Sequence, residues 1–312
     1  MPALDTDPAD LISRLVATER RAVAEVLTRL ESQSGNASRL IAGLVPHLGR
    51  AFVAGITGPP GAGKSTLVNA LIAEARGSGM RVAVLAVDPS SPVTGGAILG
   101  DRIRMTAAHD DDGVLVRSLG SRGSLGGLTP AAVRMIDALD AAGFGLILLE
   151  TVGTGQSEVD VAEIADVVLV VSAPGLGDGI QAMKAGLLEI ADILVVNKAD
   201  RDGAERTAEE LSAALALRAA HGKVPVLRTA AMMGAGVPEL WREVVARGRA
   251  RQAVPLEARR RRRARYLIAR AAADLIADRI RRGDPSTDAL ADAVLAGETG
   301  PLDAAVGLLA PR

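Results

Sequence analysis

The chain has 312 residues, of which 48% are hydrophobic and 1% aromatic, and its 36 Lys and Arg residues almost balance its 37 Asp and Glu residues. This length is enough for one large α/β domain with helical additions, or for two modest domains. The near-zero net charge and the few aromatic side chains argue against a nucleic-acid partner, because neither a basic field nor base-stacking platforms are available. The lack of Cys excludes disulfides, thiolate metal sites and a Cys nucleophile.

The cellular compartment is predicted from the same features. A chain without Cys fits a reducing interior. The first residues lack the basic and apolar regions of a secretion signal, and no apolar stretch approaches the roughly 20 residues that span a bilayer. We therefore expect a cytoplasmic protein with no membrane segment.

Residues 1–50 are predicted to form a helical extension. Asp7 and Pro8 are typical of a helix cap followed by Pro at the first helical position, and apolar residues recur beyond them near helical spacing. Turn residues at 34–36 should end this part, and Ala37–Gly49 is predicted to be a second short helix that leads into the first strand.

A phosphate-binding loop follows the first apolar run, Phe52–Thr57, and fits the pattern G-x-x-x-x-G-K-[ST]. The loop consists of Gly58, Pro59, Pro60, Gly61, Ala62, Gly63, Lys64, Ser65 and Thr66. Its glycines remove Cβ atoms where the backbone must curl around a polyphosphate, and the N-terminus of the next helix adds a favourable field. Lys64 is expected to reach the β- and γ-phosphates, and the Ser65 hydroxyl to bind Mg²⁺.

Short apolar runs alternate with helical segments from residue 52 to about residue 229. The runs are Phe52–Thr57, Val82–Val87, Val114–Ser118, Leu146–Leu149, Val167–Val171, Ile193–Val196 and Val226–Thr229. They are apolar throughout rather than alternating, which is typical of strands covered on both faces. The sequence therefore predicts an α/β fold, with a doubly wound, mainly parallel sheet over residues 51–250.

A guanine-binding motif, Asn197-Lys198-Ala199-Asp200, follows the sixth run. It is placed at the carboxyl end of a strand, where doubly wound sheets bind their ligands. A carboxylate there can accept the N1–H and 2-amino hydrogens of guanine, which adenine lacks, while the Asn amide can contact the other edge of the base. The loop with Ala230 and Ala231, after the next run, is expected to lie under the base. These residues predict that the protein binds GTP and GDP.

Carboxylates at other strand ends are predicted to complete a Mg²⁺ site. Glu150 ends the fourth run, where it could bind the metal directly or through a metal-bound water, since Mg²⁺ usually keeps several waters. Asp88 and Asp101 flank a Pro-, Ser- and Gly-rich loop after the second run, which suits a nucleotide-sensing switch.

Two further loops contain candidate residues for the hydrolysis step. Gly153 would offer its N–H to the γ-phosphate, and Gln156 could position the attacking water or be an ordinary polar loop residue. Gln181 and Lys184 lie three residues apart and would share one helix face, where a partner subunit or the nucleotide could meet them.

Residues 251–312 are predicted to form a C-terminal helical arm, because the composition beyond Pro255 shifts to Ala, Arg, Leu and Asp with apolar residues at helical spacing. Five consecutive arginines, Arg259–Arg263, would wrap around a helix rather than line one face. This run predicts a solvated or partner-facing surface, and binding of phosphate or an acidic partner is the alternative.

Together these motifs resemble one family, the MeaB/ArgK-type P-loop GTPases. The resemblance lies in GPPGAGKST, VDPSSPVTGGAILGDRIRM, ETVGTGQSE, the PGLGD…QAMK loop and NKAD, in this order between the N-terminal extension and the C-terminal arm. It implies a homodimeric GTPase, with the arm helping dimerisation, that binds an adenosylcobalamin-dependent acyl-CoA mutase similar to methylmalonyl-CoA mutase. GTP binding and hydrolysis would gate cofactor loading, protection and reactivation of that mutase.

The resemblance also implies roles for individual residues. Phosphates would be bound by residues 58–66, Mg²⁺ by Ser65, Asp88, Asp101 and Glu150, and the base by Asn197, Lys198, Asp200 and Ala231. Gln181 and Lys184 would belong to an additional switch that contacts the partner. One departure is Ala230, which stands where a Ser often precedes the Ala, so a side-chain contact at this position is in doubt.

Two other functions compete with this interpretation. An ATPase or kinase linked to arginine transport is an older interpretation of the same family, but the NKAD motif argues against ATP. A GTPase that inserts nickel would need soft or imidazole ligands. The chain has no Cys and only three widely spaced histidines, at positions 47, 109 and 221.

Overall fold

The computed structural model describes residues 7–32, 37–88, 111–120, 130–151, 157–176, 186–216, 224–283 and 285–309. The chain forms two compact units, residues 1–263 and 264–312. The predicted division into parts 1–50, 51–250 and 251–312 stays a prediction. No helix within the described ranges combines the length and apolar character that a membrane-spanning helix requires.

In the described part of the chain, three helices precede the sheet: α1 is Pro8–Val16, α2 is Arg20–Glu31 and α3 is Ala37–Leu44. The Asp7 side chain caps α1 by accepting a hydrogen bond from the N–H of Ala9 at 3.3 Å, as the Asp-Pro pair predicts. The apolar stripes of these helices are buried against one another and against α5, which is Pro130–Ala141. The predicted second helix is shorter than expected, because a 3-10 turn at Val45–His47 replaces its last part around Pro46.

Within the described residues, seven strands form one parallel sheet, as predicted. They are β1 (Phe52–Thr57), β2 (Val82–Asp88), β3 (Val114–Gly120), β4 (Leu146–Thr151), β5 (Val167–Ser172), β6 (Ile193–Val196) and β7 (Val226–Arg228). Their order is β3-β2-β4-β1-β5-β6-β7, and every described pairing is parallel. β1 is central, with β4 on one side and β5 on the other, so the strand order changes direction there. Doubly wound sheets bind ligands at the carboxyl edge of such a point.

Helices cover both faces of the sheet. In chain order they are α4 (Lys64–Gly77), α5, α6 (Ser157–Ile164), α7 (Leu187–Ile190), α8 (Ala204–Ala216) and α9 (Val237–Gln252). On one face, α4 and α9 bury Leu67, Leu71 and Val244 in a core shared with β1 and its neighbours. On the other face, α6 approaches β1 closely, and a Cβ at Gly55 would overlap Val161. This close approach fixes the position of α6 over the strand that leads into the phosphate-binding loop.

The C-terminal helices are α10 (Leu256–Arg281), α11 (Pro285–Leu295) and α12 (Pro301–Leu309). Within the second unit, Arg279 Nη1 donates to the carbonyl of Leu308 at 2.9 Å, which joins α10 to α12. Several apolar side chains of these helices are exposed. They are Ile268, Leu275, Ile280, Leu295, Leu302 and Val306.

The arginine run at the start of α10 differs from the sequence prediction. Arg259 and Arg263 are buried rather than solvated, and their guanidinium groups lie 3.4 and 3.2 Å from Oδ2 of the buried Asp166. Arg262 and Arg263 also donate to the carbonyls of Ala165 and Ile164, at the end of α6. The first turns of α10 are therefore anchored to the sheet domain by buried charges, and only part of the run is available to solvent.

Candidate nucleotide site

The phosphate-binding loop connects β1 to α4 at the carboxyl edge of the sheet. Gly58 has a φ of 138°, and a Cβ there would overlap the carbonyl oxygen of Val171 in β5. Gly63 has a φ of 88°, and its Cβ would lie 2.5 Å from Nδ2 of Asn197. These two positions require glycine for both conformation and space. The backbone can consequently bend tightly before the N-terminus of α4, which attracts anions.

Lys64 is the first residue of α4 and is 7% exposed. Its Nζ donates to the carbonyl oxygens of Gly58 at 2.8 Å and Pro59 at 3.1 Å. The ammonium group therefore lies across the mouth of the loop, where a polyphosphate would enter. Phosphate oxygens can replace the two carbonyls as acceptors, and they form stronger hydrogen bonds because they are charged.

Ser65 and Glu150 are brought together although they are far apart in sequence. Glu150 is the next-to-last residue of β4, a strand that is buried throughout, and its Oε1 accepts a hydrogen bond of 2.7 Å from the Ser65 hydroxyl. The parallel register places Glu150 beside Ile56, near the end of β1. A hydroxyl and a carboxylate oxygen are the hard donors that Mg²⁺ prefers, so these two residues fit the predicted metal. The geometry leaves direct and water-mediated binding by Glu150 equally open.

Asn197 is 2% exposed and uses its whole amide to join two loops. Its Nδ2 donates to the carbonyls of Ala62 at 3.1 Å and Gly63 at 3.2 Å in the phosphate-binding loop. Its Oδ1 accepts hydrogen bonds of 3.2 Å from the Ala231 N–H and the Thr229 hydroxyl, in the loop after β7. These four bonds give Asn197 a positioning role, and its predicted contact with the edge of the base stays a prediction.

The remaining residues of the NKAD motif lie beside this junction. Lys198 has a φ of 57°, and its Nζ donates to the carbonyl of Gly61 at 2.6 Å, so its side chain extends along the phosphate-binding loop. Asp200 is exposed and open to a ligand. Ala230 is buried, and its N–H donates to the carbonyl of Ala235 at 2.9 Å, which shapes the loop that holds Ala231.

The other predicted site residues are only partly covered by the described residues. The backbone of Asp88 ends β2 at the same edge of the sheet, opposite Gly120 of β3. Asp101, Gly153, Gln156, Gln181 and Lys184 lie outside the described residues.

Two residues near the site have side-chain interactions that the sequence does not predict. Thr229 is 1% exposed and supports Asn197 through its hydroxyl, a contact that the sequence separation of 32 residues hides. Glu158 ends the quoted motif ETVGTGQSE, and burial raises the pKa of its carboxyl while the charge of Lys64 opposes the rise. Its spacing of three residues from the buried Val161 would have indicated that it faces the sheet.

The geometry suits phosphoryl transfer from a guanine nucleotide. Such catalysis depends on positioning and charge neutralisation, which here are available from the N-terminus of α4, Lys64 and the oxygens of Ser65 and Glu150. The phosphate and base regions are joined by the Asn197 amide, so both ends of a nucleotide would contact one connected structure.

Comparisons with known proteins identify a family and several relatives of this chain. Residues 20–284 match the family described as methylmalonyl Co-A mutase-associated GTPase MeaB. A Pyrococcus horikoshii protein described as a GTPase is 52% identical over 240 residues, which are 75% of this chain and 76% of that protein. The GTPase ArgK of Escherichia coli is 36% identical over 247 residues, which are 76% of this chain and 75% of ArgK.

More distant proteins extend the comparison. The mitochondrial methylmalonic aciduria type A homolog of Mus musculus is 36% identical over 251 residues, which are 74% of this chain and 60% of that protein. The crystal structure of a LAO/AO transport system kinase is similar with a TM-score of 0.73 at 25% identity, and the match covers 99% of this chain and 98% of that one. Because the family match spans most of the chain and its relatives are named GTPases, this chain is a GTPase of the methylmalonyl Co-A mutase-associated MeaB family.

Proposed function

We propose that this GTPase uses GTP binding and hydrolysis to control cofactor loading, protection and reactivation of an adenosylcobalamin-dependent acyl-CoA mutase. The observation that carries the proposal is the family match over residues 20–284, since the family is described by its association with methylmalonyl-CoA mutase. The similarity to the mouse methylmalonic aciduria type A homolog supports the same class of partner.

In this proposal the described residues hold the nucleotide at both ends. Lys64 exchanges its two carbonyl acceptors for β- and γ-phosphate oxygens, and Asp200 accepts the N–H groups of guanine. When Mg²⁺ is bound, it neutralises charge on the β- and γ-phosphates. The residues proposed to hold it are Ser65 and Glu150 with Asp88 and Asp101, and those proposed to act at the γ-phosphate are Gly153, Gln156 and Lys184.

The proposed signal to the partner passes through the connection between loops. The Asn197 amide is hydrogen-bonded to both the phosphate-binding loop and the Ala231 loop. A movement of the phosphate-binding loop on binding or hydrolysis of GTP is therefore proposed to shift the Ala231 loop and the surface beside it. Gln181 and Lys184 are proposed to belong to a further switch that contacts the mutase. A regulatory GTPase of this kind needs slow hydrolysis by itself and faster or altered turnover on its partner.

The C-terminal unit is proposed to form a homodimer. Six large apolar side chains are exposed among the described residues of its helices, and this exposure supports the proposal. Ile268→Glu with Leu275→Glu should shift the protein to monomer in sedimentation velocity. Val45→Glu, which changes an exposed apolar residue of the N-terminal part, is the matched control and should leave the oligomeric state unchanged. A double variant with the sedimentation coefficient of the wild type would contradict a dimer through this unit.

The chaperone proposal is tested by measuring GTP turnover alone and with a purified adenosylcobalamin-dependent acyl-CoA mutase from the same source. We expect the mutase to change the turnover rate, and Lys64→Ala to remove turnover with or without the mutase. Unchanged turnover together with no complex in a binding assay would contradict the mutase as partner. The proposed setting is the cytoplasm, which fits a chain without Cys.

A kinase linked to amino-acid transport is the second candidate, because the LAO/AO transport system kinase has a similar structure. It predicts use of ATP and transfer of phosphate to arginine. The two functions are separated by comparing hydrolysis of GTP and ATP with and without arginine. Formation of phosphoarginine would favour the kinase and contradict the chaperone.

A further inference from the structure

A carboxylate beside the P-loop lysine has no role in the function described above. Glu158 is the second residue of α6 and is half-buried. Val161 and Ile164, three and six residues later, are completely buried. Residues at this spacing share one helix face, so Glu158 continues the buried stripe of α6 by one more turn.

The packing of α6 shows where this extra turn lies. Val161 and Ala165 both pack on Gly55 of β1, and the N–H of Asp166, just past the helix, donates to the carbonyl of Val53 at 2.8 Å. The helix therefore runs antiparallel to β1, and its N-terminal end points to the carboxyl edge of the sheet. Glu158 lies about 4.5 Å further along the helix axis than Val161. This step brings it level with the end of β1, where the phosphate-binding loop begins.

Among the described residues, Lys64 is the charged group whose electrostatic effect on Glu158 is resolved. Burial raises the pKa of the Glu158 carboxyl, and the positive charge of Lys64 lowers it by a smaller amount. The other ionisable groups on the elements packed against this end of α6 are Glu150 of β4 and Glu189 of α7, with Asp160 and Glu163 on α6 itself. The strands β1 and β5 contain no ionisable residue in their described ranges.

We propose that Glu158 sets the preference of the site between GTP and GDP. A P-loop lysine contacts the β- and γ-phosphates, so a carboxylate that is level with the start of the loop and interacts electrostatically with Lys64 lies at the phosphate end of the nucleotide. Its negative charge repels the additional phosphate of GTP and affects GDP much less. The resting protein is consequently biased toward GDP, and the bias is relieved when the carboxylate is moved or neutralised. This inference rests on the nucleotide site alone and does not depend on the mutase.

The expected size of the effect follows from Coulomb's law. A unit charge on the order of 10 Å from the γ-phosphate, at an effective dielectric of about 20, changes an affinity by about tenfold. Glu158→Gln removes this charge and keeps the shape of the side chain. We expect it to raise the affinity for a non-hydrolysable GTP analogue about tenfold relative to the affinity for GDP, because GTP has one more negative phosphate at this end.

The test is isothermal titration calorimetry of both nucleotides with Mg²⁺ present. Glu163→Gln, an exposed position on the same helix, is the matched control and should leave both affinities unchanged. Glu158→Asp keeps the charge and should keep the wild-type ratio of GTP-analogue to GDP affinity. This variant provides a second measurement of the effect of the charge if Glu158→Gln folds poorly. A ratio of GTP-analogue to GDP affinity that stays unchanged in Glu158→Gln would overturn the proposal, because a merely structural residue changes both affinities together. The same change of this ratio in Glu158→Asp as in Glu158→Gln would also overturn it, because the Asp variant keeps the charge.

Discussion

Substitution of Asp166 tests whether the buried arginines of the run Arg259–Arg263 anchor the first turns of α10 to the sheet domain. Its side chain is 1% exposed, and its Oδ2 accepts hydrogen bonds from the N–H of Val53 at 2.9 Å, Arg263 at 3.2 Å and Arg259 at 3.4 Å. Both arginine side chains are 6% exposed. Burial lowers the pKa of the Arg263 guanidinium, and the charges of Asp166 and Asp137 oppose this shift. The two guanidinium groups therefore depend on nearby negative charge to remain buried.

Asp166→Asn removes the charge and retains an oxygen for Val53. Removal of one partner from a buried ion pair costs about 3–5 kcal/mol, because the opposite charge is left uncompensated. Because the Asn side chain still accepts the hydrogen bond from Val53, the cost should lie at the lower end of this range, and we expect a loss of about 3 kcal/mol in the free energy of unfolding. At roughly 2–4 °C per kcal/mol, the melting temperature should fall by about 6–12 °C.

The loss is measured by urea denaturation followed by circular dichroism, with the midpoint and the m-value fitted together. Asp10→Asn is the matched control, since Asp10 forms an exposed pair with Arg14 at 3.8 Å. Such surface pairs contribute about 0–1 kcal/mol. A loss below about 1 kcal/mol in Asp166→Asn, comparable to this control, would refute the anchor.

Three further changes test the nucleotide site and the charge cluster. Lys64→Ala should abolish GTP binding in calorimetry with an unchanged circular dichroism spectrum, and robust hydrolysis would contradict its role. Asp200→Asn should reduce the preference for GTP over ATP by about 10–100-fold, since hydrogen bonds to a charged acceptor contribute about 1.5–3 kcal/mol. An unchanged ratio would place the base elsewhere. Burial raises the pKa of the Asp137 carboxyl above 3.8, although the charges of Arg260 and Arg263 oppose the rise. The folded state therefore binds this proton more tightly than the unfolded state does. The free energy of unfolding consequently falls as the pH rises through the pKa of Asp137 in the folded protein. Asp137→Asn should remove this fall in denaturation midpoints, and an identical pH profile would contradict it.

The fold could be predicted from the sequence because most strands are continuous apolar runs. All seven runs are strands of the one parallel sheet, and β1, β4, β5 and β6 are buried at every residue, which explains why polar residues are scarce within them, whereas the edge strands β3 and β7 are only partly buried. The P-loop was equally clear, since its glycines are required by local backbone geometry. Local patterns of this kind are visible without knowledge of the tertiary structure.

The arginine run shows why other features could not be predicted. Five consecutive residues do wrap around a helix, but Arg259 and Arg263 are four apart and so share the face that is buried. Their partner Asp166 is more than 90 residues earlier, and a charge pair over this separation leaves no local signal. The run was therefore interpreted from its composition, which favours solvent.

Asn197 illustrates a related limit at the site. Its motif indicated a nucleotide pocket, but the role of its amide depends on the loops that the fold brings beside it. The sequence predicts which residues belong to the pocket, and the structure adds that Asn197 joins two loops and that Asp200 is exposed.

The central claim is that the nucleotide state of this GTPase controls cofactor loading of a mutase. The most direct measurement is the rate and extent of adenosylcobalamin transfer to the apo-mutase, followed by absorbance, with this protein and GTP, a non-hydrolysable GTP analogue or GDP. We predict that loading differs between the nucleotides with the wild-type protein and becomes independent of nucleotide with Lys64→Ala. Loading that is identical with every nucleotide, in a mixture where the wild-type protein hydrolyses GTP, would contradict the account.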